Sequence, residues 1–188
     1  MRGRAGRPEA TGARLIAAAG SAFAKHGYAK TAVRDICVEA GLSVGSFYYH
    51  FADKVEITLA ILERESGQFV RRLDAMDLGQ PSSIEATLDD LVRGPAAPLY
   101  RALREAVEIE PRVAEAAAEI RRHASDRLVV IISRARAASD RFELDAQMVA
   151  WAFLALVREA LARRTDAEGG LAHGMANLIH QAVIAPRS

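Results

Sequence analysis

Apolar residues recur along this chain at spacings of three and four, and no strand-like alternation of any length interrupts them. That periodicity, with abundant alanine, predicts an all-α protein. A first helix is expected from about Pro8 or Thr11 to His26, with Leu15, Ala18, Ala19, Ala22 and Phe23 on its inner face and Gly27 ending it. A short helix follows over about Ala32 to Ala40, with Thr31 as its cap. Gly41, Leu42 and Ser43 turn the chain into a third, from about Val44 to His50. Asp53 and Glu56 stand at capping-box spacing and open a fourth helix that reaches about Leu73 or Met76.

After a connector at Asp77 to Pro81, Ser82 and Glu85 repeat that spacing and predict a helix ending near Gly94 and Pro95. Pro98 to Glu110 is next, stopped by Pro111. A long helix over about Arg112 to Ala138 carries Val113, Ala117, Ile120, Ala124, Leu128, Ile131 and Ala135 as one stripe. Leu144 to Arg164, and Thr165 or Asp166 to about Val183, close the chain, with Thr165 and Glu168 again at capping-box spacing. The stretch from Met148 to Val157 is apolar all round and must be covered on every side. Its own core covers one side, and a second copy of the chain, packed through residues of about 144–183, is expected on the other. With no repeat and no low-complexity linker, a functional boundary is expected near residue 52, inside a continuous helical stack. It separates a head of residues 1–52 from a body of 53–188.

The composition, 51 % hydrophobic and 26 % charged over 188 residues, is that of a soluble globular protein. The longest apolar run falls well short of the roughly 18 residues that cross a bilayer, so no membrane partner is expected. The basic start, Met1 to Arg7, has no apolar stretch behind it and is no secretory signal. The single cysteine, Cys37, excludes an internal disulfide and fits a reducing cytoplasm; its inward helix position points to burial rather than redox sensing. Net charge is only +1, but its distribution is uneven. Arg2, Arg4, Arg7, Arg14, Lys25, Lys30, Arg34 and Lys54 outnumber Glu9, Asp35, Glu39 and Asp53, giving +4 over residues 1–54 and −3 over the rest. A basic head on a mildly acidic body suits a phosphate-binding module joined to something else.

The stretch from Thr31 to Phe51 carries the chemistry. Ile36 and Ala40 share a face of the second helix, Gly41 supplies the left-handed turn residue, Leu42 plugs the turn and Ser43 caps the third helix. Phe47 and Phe51 lie four apart on that helix's inner side. This is the layout of a helix-turn-helix, whose second helix enters the major groove of DNA. Outward positions then hold Val44, Gly45, Ser46, Tyr49 and His50, flanked by Tyr48. Gly45 costs a helix about 1 kcal/mol relative to alanine, but lets the backbone approach a base edge or phosphate. Tyr48, Tyr49, His50 and Lys54 can reach phosphates, as can Thr31, Ser43 and the free N–H groups of their helix ends. Arg34 is the guanidinium placed to pair bidentately with guanine.

Gly27-Tyr28-x-x-Thr31, Ile36, Ala40-Gly41-Leu42-Ser43, Gly45-x-Phe47-Tyr48-x-His50-Phe51 and Lys54 together resemble the signature of TetR-family regulators, over about residues 11–58. The resemblance implies an all-α homodimer with a three-helix DNA-binding head. Its body of about six helices dimerises through the last two and usually holds an effector pocket. Carried over by position, it implies phosphate contacts at Thr31, Tyr48, His50 and Lys54, and base-facing positions at Arg34, Val44, Gly45, Ser46 and Tyr49. The departures are mild: Cys37 stands where alanine is usual, Ala32 where a second Thr or Ser is frequent, and Phe47 where Leu is common.

Phe69, Tyr100, Leu103, His123 and Trp151 are candidate liners of an effector pocket, and their apolar character suits a hydrophobic or amphipathic small molecule. Two readings stay open: a repressor released from its operator by such an effector, and a constitutive or partner-controlled DNA-binding protein without one. No enzyme or cofactor is expected, because there is no Gly-rich phosphate loop, nucleophile elbow or paired His and carboxylate. His173 and His180 share a face, but no Cys or Asp completes a metal set with them or with His123.

Overall fold

In the computed structural model, residues 6–137, 145–162 and 170–183 are described, and the described residues are helices joined by short turns. In order they are α1 (Gly6–His26), α2 (Val33–Ala40), α3 (Val44–His50), α4 (Lys54–Ala75), α5 (Pro81–Arg93), α6 (Ala97–Ile109), α7 (Pro111–Ala137), α8 (Ala146–Ala162) and α9 (Gly170–Val183). The expected cap at Thr165 lies outside the described residues.

The chain forms two compact units. The first takes in the chain through Glu65 together with Pro98–Ala117, and the second takes in Ser66–Ala97 and the residues from Ala118 onward. Packing therefore continues past residue 52. The first unit completes its core with the start of α4 and with α6. Leu15, Ala19 and Phe23 from α1, Ile36, Cys37 and Ala40 from α2, and Phe47 from α3 are buried against Ile57 and Ile61 of α4. Leu99, Leu103 and Ala106 of α6 and Val113 of α7 join the same cluster. The second unit buries Leu73, Ile84, Leu88, Leu91, Leu128, Ile132, Phe153 and Met175. It is pinned at its surface by Arg72–Asp90 at 3.1 Å and Arg127–Asp74 at 2.5 Å.

Local chemistry explains most helix ends. Ser43 caps α3, its Oγ accepting the Ser46 N–H at 3.1 Å. Asp53 caps α4 through the Glu56 N–H at 2.7 Å, while the Glu56 carboxylate reaches the N–H of Ala52. Two expected caps are corrected. Thr31 does not cap α2; Ala32 holds that position, and Asp35 reaches back to its N–H at 2.8 Å. The Thr31 hydroxyl instead turns inward and donates to the Gly27 carbonyl at 2.7 Å. Ser82 does not cap α5 either: the helix begins at Pro81, whose fixed φ and missing N–H suit a first position. Ser83 instead accepts the Asp77 N–H at 3.0 Å. On α7, Val113, Ala117, Ala124, Leu128 and Ile132 are buried, whereas Ile120, Ile131 and Ala135 are only half-buried.

Gly41 ends α2 at φ 60°, ψ 39°, and its N–H closes the turn onto the Val38 carbonyl at 3.0 Å. A side chain there would sit in the left-handed region, with an Arg14 guanidinium nitrogen 3.0 Å from its Cβ. Arg14 can swing away, so the backbone conformation sets the cost. Gly41→Ala is expected to lower stability by about 1 kcal/mol, seen as a lower urea midpoint at unchanged m. An unchanged midpoint would show that the turn does not depend on this conformation.

Candidate nucleic-acid interface

α3 is seven residues long and buries one of them, Phe47. Successive side chains on a helix point about 100° apart, so burying Phe47 turns its neighbours out. Tyr48 and Tyr49 are 57 % and 77 % exposed and Val44 is 43 % exposed. Gly45 is exposed beside them, and Ser46 and His50 are half-exposed. The Ser43 and Ser46 hydroxyls lie 3.0 Å apart, so both are oriented at the helix start. Arg34 is exposed on α2, with no carboxylate partner among the described residues. α3 and its cap thus present Ser43, Val44, Gly45, Ser46, Tyr48, Tyr49 and His50, and α2 presents Arg34. They combine one guanidinium, hydroxyls, an imidazole and a bare backbone, which suits the base edges and phosphates of a groove.

The glycine on this surface is not there for the fold. A Cβ added at Gly45 would touch only Ser43 Oγ, at 3.8 Å, an ordinary contact. The helix therefore carries the cost of glycine without any internal crowding that requires it.

Two residues expected on this surface are engaged elsewhere. Thr31 is buried, with its hydroxyl spent on the Gly27 carbonyl. Lys54 is half-buried, and its ammonium donates to the carbonyls of Tyr28 at 3.0 Å and Thr31 at 3.1 Å. Burial pushes the Lys54 ammonium pKa down, opposed by the nearby Glu110 and Glu105 carboxylates. Sequence reasoning passed over Tyr28 as a polar participant, and Glu105 and Glu110 altogether. Arg14, counted with the basic residues of the head, is exposed on α1 beside the Gly41 turn.

The remaining residues singled out from sequence lie as follows. Cys37 is buried, and burial pushes its thiol pKa up. His173 pairs with Glu85 at 3.0 Å, and His180 meets the Leu78 carbonyl at 3.2 Å. Among the described residues no group of three or more His, Cys, Asp or Glu could hold a metal ion, and no helix is long and apolar enough to cross a membrane. Of the pocket candidates, Leu103 is buried in the core of the first unit and Tyr100 packs against that core. His123 and Trp151 line an open groove of about 740 Å³ between α7 and α8, with Arg121, Arg122, Leu154 and Arg158. Phe69, half-buried on α4, is not among its lining residues.

Comparison with known proteins places this geometry. The family model described as bacterial regulatory proteins, tetR family, matches residues 15–61. The segment is 43 % identical over 53 residues to the transcriptional regulator TtgR of Pseudomonas putida, covering 28 % of this chain and 25 % of that protein. It is 32 % identical over 60 residues to the fatty acid metabolism regulator protein of Bacillus subtilis, covering 32 % and 31 %. These matches span between a quarter and a third of each relative's length. Among solved structures, Salmonella enterica GusR aligns over 95 % of this chain and 98 % of its own, with TM-score 0.81 and 20 % identity. Bacillus subtilis FadR, solved with stearoyl-CoA, aligns over 91 % and 98 %, with TM-score 0.71 and 19 % identity. At that identity the likeness concerns the fold.

Removing the Ser43 cap (Ser43→Ala) is expected to cost about 1 kcal/mol in urea unfolding. Tyr49→Ala, at an exposed position, should stay within about 0.5 kcal/mol. A large loss at Tyr49 would mean that its ring serves packing rather than an outside partner.

Proposed function

Because the chain belongs to the TetR family of bacterial regulatory proteins, we propose that it is a transcriptional regulator that grips operator DNA through α3. The observation that carries this reading is the outward face of α3, where a glycine that the fold does not require sits among exposed tyrosines. Arg34, Val44, Gly45, Ser46 and Tyr49 face bases in this mode, and Ser43, Tyr48 and His50 contact phosphates. Thr31 is left out of the contact set, since it is buried with its N–H, carbonyl and hydroxyl all bonded within the first unit.

The protein acts as a homodimer through α8 and α9. In one copy Met148, Leu156 and Leu178 are exposed, although α8 buries Val149, Ala150, Phe153 and Val157. An apolar face of that kind is covered in solution by an equivalent face. Two heads then enter successive major grooves roughly 34–36 Å apart.

A small-molecule effector releases the repressor from DNA in this scheme. The groove between α7 and α8 sets Arg121, Arg122 and Arg158 against Trp151 and Leu154, which favours an amphipathic molecule carrying negative charge. The stearoyl-CoA bound by Bacillus subtilis FadR is a molecule of that character. Coupling between effector and DNA of about 1–3 kcal/mol is sufficient.

Gly45→Ala tests the DNA contact most sharply. It is expected to raise stability by about 0.5–1 kcal/mol, since alanine favours a helix, while weakening binding to a duplex selected from random sequence. Unimpaired binding would remove α3 from the groove. Leu178→Lys is expected to shift sedimentation equilibrium from dimer towards monomer; an unchanged dimer would place the interface elsewhere. A thermal-shift screen against anionic amphipaths should raise the melting temperature if the groove binds one.

A further inference from the structure

The turn between α1 and α2 is held from three other places in the first unit. Glu105 of α6 accepts the backbone N–H of Tyr28 at 2.8 Å. Glu110, at the corner between α6 and α7, accepts the Tyr28 phenol at 2.9 Å. From α4, the Lys54 ammonium lies 4.0 Å from the centre of the Tyr28 ring and donates to the Tyr28 and Thr31 carbonyls. Tyr28 is buried, and its ring meets Phe23 edge-on at 5.4 Å. One residue thus has its N–H, its carbonyl, its hydroxyl and a ring face engaged by groups that lie 26 to 82 positions away in sequence.

Space-filling alone does not account for this. A phenylalanine at position 28 would fill the same volume, and half-buried charges are costly unless their partners are well placed. Two carboxylates and an ammonium converge on a single turn, and that turn leads directly into the helix-turn-helix. Resting on the DNA-binding reading above, we infer that Tyr28, Glu105, Glu110 and Lys54 form a latch that sets the orientation of α2 and α3, with Lys54 acting as a positioning residue and not as a phosphate contact. Two of its three N–H groups are spent on carbonyls and it lies over the Tyr28 ring, so its charge is already used within the first unit.

Salt dependence separates the two roles. A phosphate contact releases counterions, and losing one lowers the slope of log K against log salt by about 0.9. A positioning residue weakens binding at every salt concentration without changing the slope. Lys54→Met, Tyr28→Phe and Glu110→Gln would be measured by fluorescence anisotropy on a duplex selected by the unmodified protein. The range is 50 to 200 mM KCl, at a temperature where circular dichroism shows each variant folded. Each is expected to weaken binding by about tenfold at unchanged slope. The Tyr28→Phe/Glu110→Gln double variant should be no weaker than either single one.

A slope lowered by Lys54→Met would make Lys54 a phosphate contact and overturn the inference. So would normal affinity in Tyr28→Phe and Glu110→Gln with only the melting temperature reduced, because the latch would then serve stability alone. If the unmodified protein selects no duplex, the DNA-binding reading itself fails and the latch falls with it.

Discussion

A seven-residue helix has almost no stability of its own, because nucleating a turn costs more than so few hydrogen bonds return. α3 exists because Phe47 is buried. Full burial of such a side chain is worth about 1.5–3 kcal/mol, and here it also fixes which way the helix faces. Phe51 lies 5.8 Å from the Phe47 ring and Tyr48 5.4 Å, so the aromatic neighbours brace the anchor from both sides. Ser43 holds the first turn, and the Phe51 N–H closes the last onto the Phe47 carbonyl at 2.9 Å. With one side chain pinned inward, the exposure of Tyr48 and Tyr49 follows from helical geometry alone.

The anchor works only if the core that receives Phe47 is closed, and the first three helices do not close it. Ile57 and Ile61 of α4 and Leu99, Leu103 and Ala106 of α6 complete the packing. The same two regions supply polar groups to the turn ahead of α2, with Lys54 from α4 and Glu105 from α6. Apolar burial and a polar clamp therefore act on the two ends of the helix-turn-helix, one at Phe47 and one at Tyr28. Much of the outward surface is thereby relieved of structural duty, and so it can carry a glycine in a helix and an exposed tyrosine at position 49.

Legibility from sequence followed the range of the interactions. The limits of α3, the Ser43 cap, the inner face of α1 and the burial of Cys37 all depend on neighbours within a few positions. All of these could be read from spacing. The cap of α2 was misplaced by one residue, because Thr31 is an attractive capping residue and Ala32 is not. What decided it was a carboxylate, Asp35, reaching back from inside the helix. Ser82 lost to Pro81 for a similar local reason. The positions of Lys54, Tyr100 and Leu103 were illegible in a stricter sense. Nothing near Lys54 in the chain shows that Tyr28 and Thr31 carbonyls will receive it, and nothing near Leu103 shows that it completes the core of the first unit. Likewise, the groove that unites His123 with Trp151 joins two helices whose separation no local pattern specifies.

The central claim is that the exposed side of α3 reads DNA from the major groove, and methylation interference tests it directly. Dimethyl sulfate marks guanine N7 in the major groove and adenine N3 in the minor groove. With a selected duplex, the account predicts that N7 methylation blocks binding in two clusters about one helical turn apart, while N3 methylation is tolerated there. Interference confined to adenine N3, or N7 marks without effect, would contradict it.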